Sequence, residues 1–314
     1  MSIVVPPKLE RGQLIGIVAP AGPVKPERLQ RGLDRLRGTF RIRVAPSLVA
    51  LKRGDIPSYL AASDDQRAAE LQAMIGDPDV RAIVLARGGY GLMRILPALD
   101  PEPLRRDPKP IVGFSDATAL LAWAYRAGVR GIHGPVIAQL GDLADRDVEQ
   151  LVTMLTDARP AGERPWSLAV RHGSGRITAP LVPANLTMAS MLVGTKWPVP
   201  LAGSIALLEE VGEKPYEIDR YMTQLMLTGV LGETRAVVVG DLTRCHDPRP
   251  PSGEPDPDDA AQRTVCERVI AAGKPCAFGA PVGHGSRNES LPFAAACELD
   301  LDRGMLAILE AAVQ

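Results

Sequence analysis

Short apolar runs and amphipathic stretches alternate along the first half of the chain. Leu14 to Ala19 (LIGIVA) is continuously apolar and ends in Pro20-Ala21-Gly22-Pro23, the pattern of a buried parallel strand running into a loop. The spacing predicts a helix from Pro26 to Arg37 and a second strand from Phe40 to Ala45. Ser63-Asp64-Asp65-Gln66 is a capping box, a Ser N-cap with Gln three residues later, and predicts a helix that opens there and runs to Met74. Arg81 to Ala86 (RAIVLA) reads as the next strand and ends in Arg87-Gly88-Gly89-Tyr90-Gly91. Pro110 to Phe114 (PIVGF) reads as another, followed directly by a helical run from Ala117 to Tyr125, and Val129 to His133 as a fifth strand. Strands alternating with helices predict an α/β fold with a doubly wound parallel sheet, whose ligand sites lie at the carboxyl ends of the strands.

From Asp157 to Gly175 the alternation breaks into a polar stretch rich in Pro, Gly and Arg. It predicts a linker over 158–175, between a domain at 1–157 and another at 176–314. In the second domain Ile177 to Val182, Ser204 to Glu209 and Arg235 to Gly240 read as strands, and Glu217 to Leu227 as a helix. Phe293 to Asp300 and Met305 to Glu310 flank a Leu301-Asp302-Arg303-Gly304 turn and predict a terminal hairpin. This half is expected to form a second α/β domain built on a mixed sheet or barrel. His246 to Asp259 (HDPRPPSGEPDPDD) is too rich in Pro and Asp for regular structure and is expected to be a mobile surface loop.

Composition removes whole classes of function. With 36 Lys+Arg against 37 Asp+Glu in 314 residues, the formal charge is -1, which excludes the electrostatic footprint of a nucleic-acid binder. The mean hydropathy is +0.01 and no apolar run reaches about 18 residues, so no membrane-spanning helix and no membrane partner are expected. Met1 to Lys8 lacks a basic start followed by a long apolar stretch, the form of a signal peptide. Cys245, Cys266, Cys276 and Cys297 are too few and too scattered for a disulfide framework. A cytoplasmic globular protein is the expectation.

Candidate chemistry gathers at strand ends. In Gly113-Phe114-Ser115-Asp116-Ala117 a strand runs in and a helix runs out, the setting in which a sharp turn lifts a serine hydroxyl over the sheet edge as a nucleophile. The helix start also offers backbone N–H groups to an oxyanion. The fifth position is Ala where G-x-S-x-G has Gly, and Ser115 could equally cap the helix that follows. Arg87-Gly88-Gly89-Tyr90-Gly91 could supply a second oxyanion donor or a phosphate cradle, or be a tight turn needing positive φ. It does not fit G-x-x-x-x-G-K-[ST].

A serine nucleophile needs a base, and the chain has four histidines. His172 falls in the expected linker and His246 in the Pro-rich loop, where precise positioning is hard. His133 ends a strand, and His284 stands between two glycines after one; either is open to a structural role, and His284 has the better surroundings. Glu209 and Glu210 close an apolar strand, and period 2 lets only one of them face the site as the orienting carboxylate. No H-E-x-x-H or other metal-ligand spacing is present.

Taken in order, IVAPAGPV (17–24), YLAASDDQRAAEL (59–71), ARGGYG (86–91), VGFSDAT (112–118), HGP (133–135), LLEEVGEKPYEIDR (207–220) and GAPVGHG (279–285) resemble the LD-carboxypeptidase family of serine peptidases. That family includes murein tetrapeptide carboxypeptidases and microcin C immunity peptidases. The resemblance implies a flavodoxin-like amino-terminal domain carrying the nucleophile and a carboxy-terminal domain carrying Glu and His. It implies a triad of Ser115, Glu209 and His284, with Glu209 preferred as the first acid after the strand. It further implies an oxyanion hole from the backbone N–H groups of Gly89 and Asp116, a homodimer, and a small peptide substrate cleaved without metal or organic cofactor. Arg87 is a candidate for holding the substrate's terminal carboxylate, and His133 for lining the same sheet edge. Pro183-Ala184-Asn185-Leu186 departs from the family's usual glycine-rich sequence, and the Pro-rich loop after Cys245 reads as an insertion. With Trp166, able to stack on a base, these departures keep a peptidyl or aminoacyl nucleotide open as the alternative substrate. A non-catalytic ligand-binding protein is the third reading.

Overall fold

The computed structural model describes residues 3–49, 56–250, 253–254 and 257–314. The chain divides into two compact units, Met1–Arg159 with Glu289–Phe293 and Ala311–Gln314, and Pro160–Asn288 with Ala294–Glu310.

The first unit holds β1 (Leu14–Val18), β2 (Arg41–Val44), β3 (Val80–Leu85), β4 (Ile111–Gly113) and β5 (Ile132–His133). They form one six-stranded sheet in the order Leu291–Pro292, β5, β4, β3, β1, β2. The five labelled strands are parallel, and the returning strand pairs antiparallel with β5. Order 2-1-3-4-5 is that of flavodoxin-like doubly wound sheets. Every residue of β1 and β4 is buried, because helices cover both faces, while edge strand β2 alternates exposed and half-buried. Helix Pro26–Arg37 buries Leu29, Gly32, Leu33 and Leu36. A Cβ on Gly32 would lie 1.9 Å from the Ile137 carbonyl oxygen, so only glycine permits this helix to sit so close to its neighbour. Helix Asp64–Gly76 begins as its capping box predicts, the Ser63 hydroxyl accepting from the Gln66 N–H at 3.3 Å.

The second unit contains β6 (Gly162–Glu163), β7 (Ala169–His172), β8 (Arg176–Asn185), β9 (Ile205–Val211), β10 (Ala236–Thr243) and β11 (Cys276–Phe278). With Leu291–Pro292 counted as β12, it resumes with β13 (Ala295–Asp300) and β14 (Met305–Ile308). These form a mixed eight-stranded sheet in the order β6-β14-β13-β8-β9-β10-β11-β7. Strands β8 to β11 are parallel and antiparallel strands flank them. Helices Pro215–Leu227 and Ala260–Ala271 follow β9 and β10 and are tied by Arg268, which donates to both carboxylate oxygens of Asp219 at 2.5 and 3.0 Å. The terminal hairpin predicted from the sequence is β13 paired with β14.

The segment 158–175, read from its composition as a linker, carries β6 and β7 of this sheet. Of the Pro-rich stretch expected to be a mobile loop, 251–252 and 255–256 lie outside the described residues. Among the described residues no helix is long and apolar enough to cross a membrane, and no cluster of three His, Cys, Asp or Glu side chains could hold a metal ion.

Candidate active site

In the first unit the loops after β1, β3 and β4 meet at the carboxyl edge of the sheet. Strand β4 ends at Gly113, Phe114 stays extended, and Ser115 turns to φ +64 before the helix Thr118–Arg126 begins. A left-handed backbone at a residue with a side chain is strained by about 1–3 kcal/mol. A residue that only caps a helix takes extended backbone, as Ser63 does at φ -61 and ψ 158. Gly88 lies against this turn, where a Cβ would fall 2.9 Å from Ser115 Cβ and 3.0 Å from its Oγ. Its carbonyl accepts from the Gly22 N–H at 3.0 Å, which joins the β1 loop to the β3 loop. Gly89, at φ +100, is exposed beside it.

Arg87 is exposed and donates to the Pro23 carbonyl at 2.6 Å. The Asp116 carboxylate turns inward, 2 % exposed, and accepts from the Leu92 N–H at 2.9 Å. Burial pushes its pKa up to about 6, against the lowering effects of the Leu92 hydrogen bond and the Arg67 charge. The His133 ring is fully buried and edge-to-face with Phe114 at 6.0 Å, with no face open to solvent.

In the second unit β9 delivers its two acids to opposite sides, as period 2 requires. Glu209, 0 % exposed, receives His284 Nδ1 on Oε2 at 2.7 Å. Its other oxygen is buried with no hydrogen-bond partner among the described residues. Glu210 faces away. It accepts from Asn185 Nδ2 at 3.0 Å and from the backbone and hydroxyl of Thr187, both at 2.8 Å. Burial raises the Glu210 pKa and the Glu209 charge raises it further. The choice between the two acids, which the sequence left to family likeness, is therefore geometric: Glu209 is the partner of His284.

His284 sits on a turn that only glycines allow. Gly283 has φ +135, and a Cβ there would lie 3.0 Å from Glu209 Oε2 and 3.1 Å from Asp241 Cβ. The side chain of His284 keeps 20% of its exposure. Burial pulls its pKa down, but the charge and hydrogen bond of Glu209, with Glu210 and Asp241 behind, prevail, and the net shift is upward. The ring nitrogen that meets the carboxylate is Nδ1. Asp241 was not singled out from the sequence. It accepts the Gly285 N–H at 2.9 Å and holds the far side of the turn. The available signal was its place just after the apolar run of β10, the counterpart of Glu209 in β9.

Trp166 is 5% exposed, so its indole presents no open face for stacking. His172 and His246 are exposed. Cys245 and Cys297 are buried, and burial pushes both thiols up to about 12, which removes them as nucleophiles.

Residues 15–134 match the family described as the LD-carboxypeptidase N-terminal domain, and 178–299 the LD-carboxypeptidase C-terminal domain. A Streptomyces coelicolor protein named as a carboxypeptidase is 36% identical, over 98% of this chain and 96% of its own. The murein tetrapeptide carboxypeptidase of Pseudomonas aeruginosa is 32% identical over 78% of this chain and 80% of its own. Among solved structures, the microcin C7 self-immunity protein MccF with aspartyl sulfamoyl adenosine has a TM-score of 0.86, covers 99% of this chain and 100% of its own, and is 22% identical, which establishes a shared fold.

Proposed function

The chain belongs to the LD-carboxypeptidase family and is a serine-type carboxypeptidase, a hydrolase; from that premise we propose that it removes the terminal D-amino acid from a murein tetrapeptide by a Ser115-His284-Glu209 triad. Ser115 Oγ attacks the carbonyl carbon of the L,D-amide bond while His284 Nε2 takes its proton. Glu209 holds the imidazole by Nδ1 and stabilises it once charged. The backbone N–H groups of Gly89 and Asp116 receive the developing oxyanion, each worth about 3 kcal/mol. The charged His284 then protonates the leaving amine as the C–N bond breaks. A water, deprotonated by His284, attacks the acyl-enzyme, and the proton returns to Ser115. Arg87, on the loop after β3, supplies the cation for the substrate's free carboxylate.

The observation that carries this reading is the buried Glu209–His284 pair at 2.7 Å, in which one carboxylate oxygen meets the imidazole and the other has no hydrogen-bond partner among the described residues. A nucleotide-linked substrate has less support, since Trp166, the ring offered for stacking, is buried. Action in the cytoplasm and assembly as a homodimer belong to the same reading; fractionation and analytical ultracentrifugation test them. The direct test is incubation with murein tetrapeptide. The native protein is expected to release D-alanine, and Ser115→Ala to release it about 10⁵-fold more slowly. Equal release by both proteins would sink the triad; release by neither would sink the substrate.

A further inference from the structure

The carbonyl of Gly91 and the N–H of Leu92 belong to one planar peptide unit and point in opposite directions. Arg67 Nη1 donates to that carbonyl at 3.0 Å, and the Asp116 carboxylate accepts from that N–H at 2.9 Å. The peptide is therefore gripped on both edges by charged groups, and both are buried, Arg67 to 1% and Asp116 to 2% exposure. Leu92 opens the four-residue helix Leu92–Ile95, whose N-cap Gly91 has no side chain to receive that N–H, so its partner comes from Asp116 on another loop.

Arg67 reaches further. The same Nη1 donates to the Pro20 carbonyl in the β1 loop, Nε donates to the Ala62 carbonyl at 3.2 Å, and Nη2 meets Asp64. One guanidinium thus ties the loops after β1 and β3 to the start of helix Asp64–Gly76. Asp116 ties the β3 loop to the residue next to Ser115. Between these ties lie Gly88, in contact distance of Ser115, and Gly89. At φ +100 and +132, Gly89 and Gly91 impose no side-chain preference of their own, so the loop takes its geometry from outside.

We infer that Arg67 and the Asp116 side chain are positioning residues, which clamp the Gly91–Leu92 peptide from opposite edges and so hold the Gly88–Gly89 segment where its N–H meets the oxyanion. This deepens the reading above and rests on Gly89 being an oxyanion donor. Charged hydrogen bonds to neutral peptide groups are about twice as strong as neutral ones, which suits a clamp on an otherwise permissive loop.

The test is the rate at which a fluorophosphonate labels Ser115, a reaction that needs nucleophile and oxyanion hole but no particular peptide, together with kcat and KM on tetrapeptide. Removing a whole oxyanion donor costs about 10²–10³ in kcat, and displacing one costs part of that. Asp116→Ala is expected to lower both the labelling rate and kcat by about 30-fold, with KM moved less than threefold. Asp116→Asn, whose amide oxygen can still accept from Leu92, is expected to recover most of the loss. Gly91→Ala approaches the same peptide from the other edge, since its Cβ would fall 2.8 Å from Arg67 Nη1, and is expected to show the same split. Circular dichroism identifies which variants are folded. A folded Asp116→Ala or Gly91→Ala protein with native kcat and labelling rate would overturn the clamp while leaving the triad standing, as would Asp116→Asn falling as far as Asp116→Ala. If the native protein is not labelled at Ser115, the triad reading itself has failed.

Discussion

The Ser115 turn and the His284 turn are both strand-end loops packed with glycine, yet they are held by different forces. Ser115 is placed by shape. Its φ of +64, the close approach of Gly88, and backbone ties between loops leave the hydroxyl few alternatives, and none of these contacts titrates. His284 is placed by charge. Glu209 at 2.7 Å fixes the ring, and Asp241 anchors the next residue's N–H. A nucleophile that works as a neutral hydroxyl needs orientation only. A base that must accept and return a proton needs an environment that changes the cost of its charge, which shape cannot provide.

The largest break in that comparison should come from Glu209→Gln. Gln keeps the shape but loses the charge and presents the wrong partner to Nδ1, a change that costs on the order of 10⁴ in kcat in such triads. Because the native His284 pKa is raised, the base is neutral only above the usual histidine value of 6.5, and the acid limb of kcat/KM lies above it. Without the Glu209 charge, burial dominates and that limb should move to lower pH. A pH–rate profile with an unmoved acid limb would show that shape, not charge, sets the histidine. Gly88→Ala is the converse. Gly88 is not among the residues with positive φ, so Ala is opposed only by space, 2.9 Å from Ser115 Cβ. A displacement of that kind is expected to lower kcat by about 10² with the pH profile unchanged, measured on the same substrate.

The same division explains what could be read from the sequence. Buried strands β1, β3 and β4 show as apolar runs because both faces are covered, and the capping box at Ser63 is local chemistry. Ser115 is visible for the same reason: strand, turn and helix are adjacent in the chain. The contest between Glu209 and Glu210 could not be settled by pattern, because period 2 says that they diverge but not which side His284 occupies. Edge strands β6 and β7 add backbone pairing with no apolar alternation, so their polar sequence reads as linker. The return of Glu289–Phe293 and Ala311–Gln314 to the first unit depends on partners more than a hundred residues away, such as Leu291 opposite His133. Arg67 was invisible as a tie because, Asp64 within its own helix aside, its acceptors are carbonyls, which every sequence has.

Asp116 sharpens the comparison, being the one strongly shifted charge inside the shape-held turn. Its pKa rises from the usual 3.8 to about 6, chiefly through burial, so the folded state binds its proton more tightly than the unfolded state. The sign follows. Below about 3.8 the group is protonated in both states and has no effect; as pH rises through 6 the folded state must hold a buried charge, and stability is lost. Two pKa units correspond to about 3 kcal/mol, an upper figure for this group. Asp116→Asn removes the charge and keeps an acceptor for Leu92, so it should raise the thermal midpoint by a few degrees at pH 7.5 and by nothing at pH 3.5. Scanning calorimetry of both proteins across that range checks it. Equal midpoints at pH 7.5 would mean that the Leu92 and Arg67 contacts already offset the burial in full. The turn would then be as free of electrostatic cost as its backbone geometry suggests, and the contrast with the histidine turn complete. A higher midpoint for Asp116→Asn, combined with the slower chemistry expected of a weaker acceptor, would instead show stability given up in the Ser115 turn to hold a loop in place.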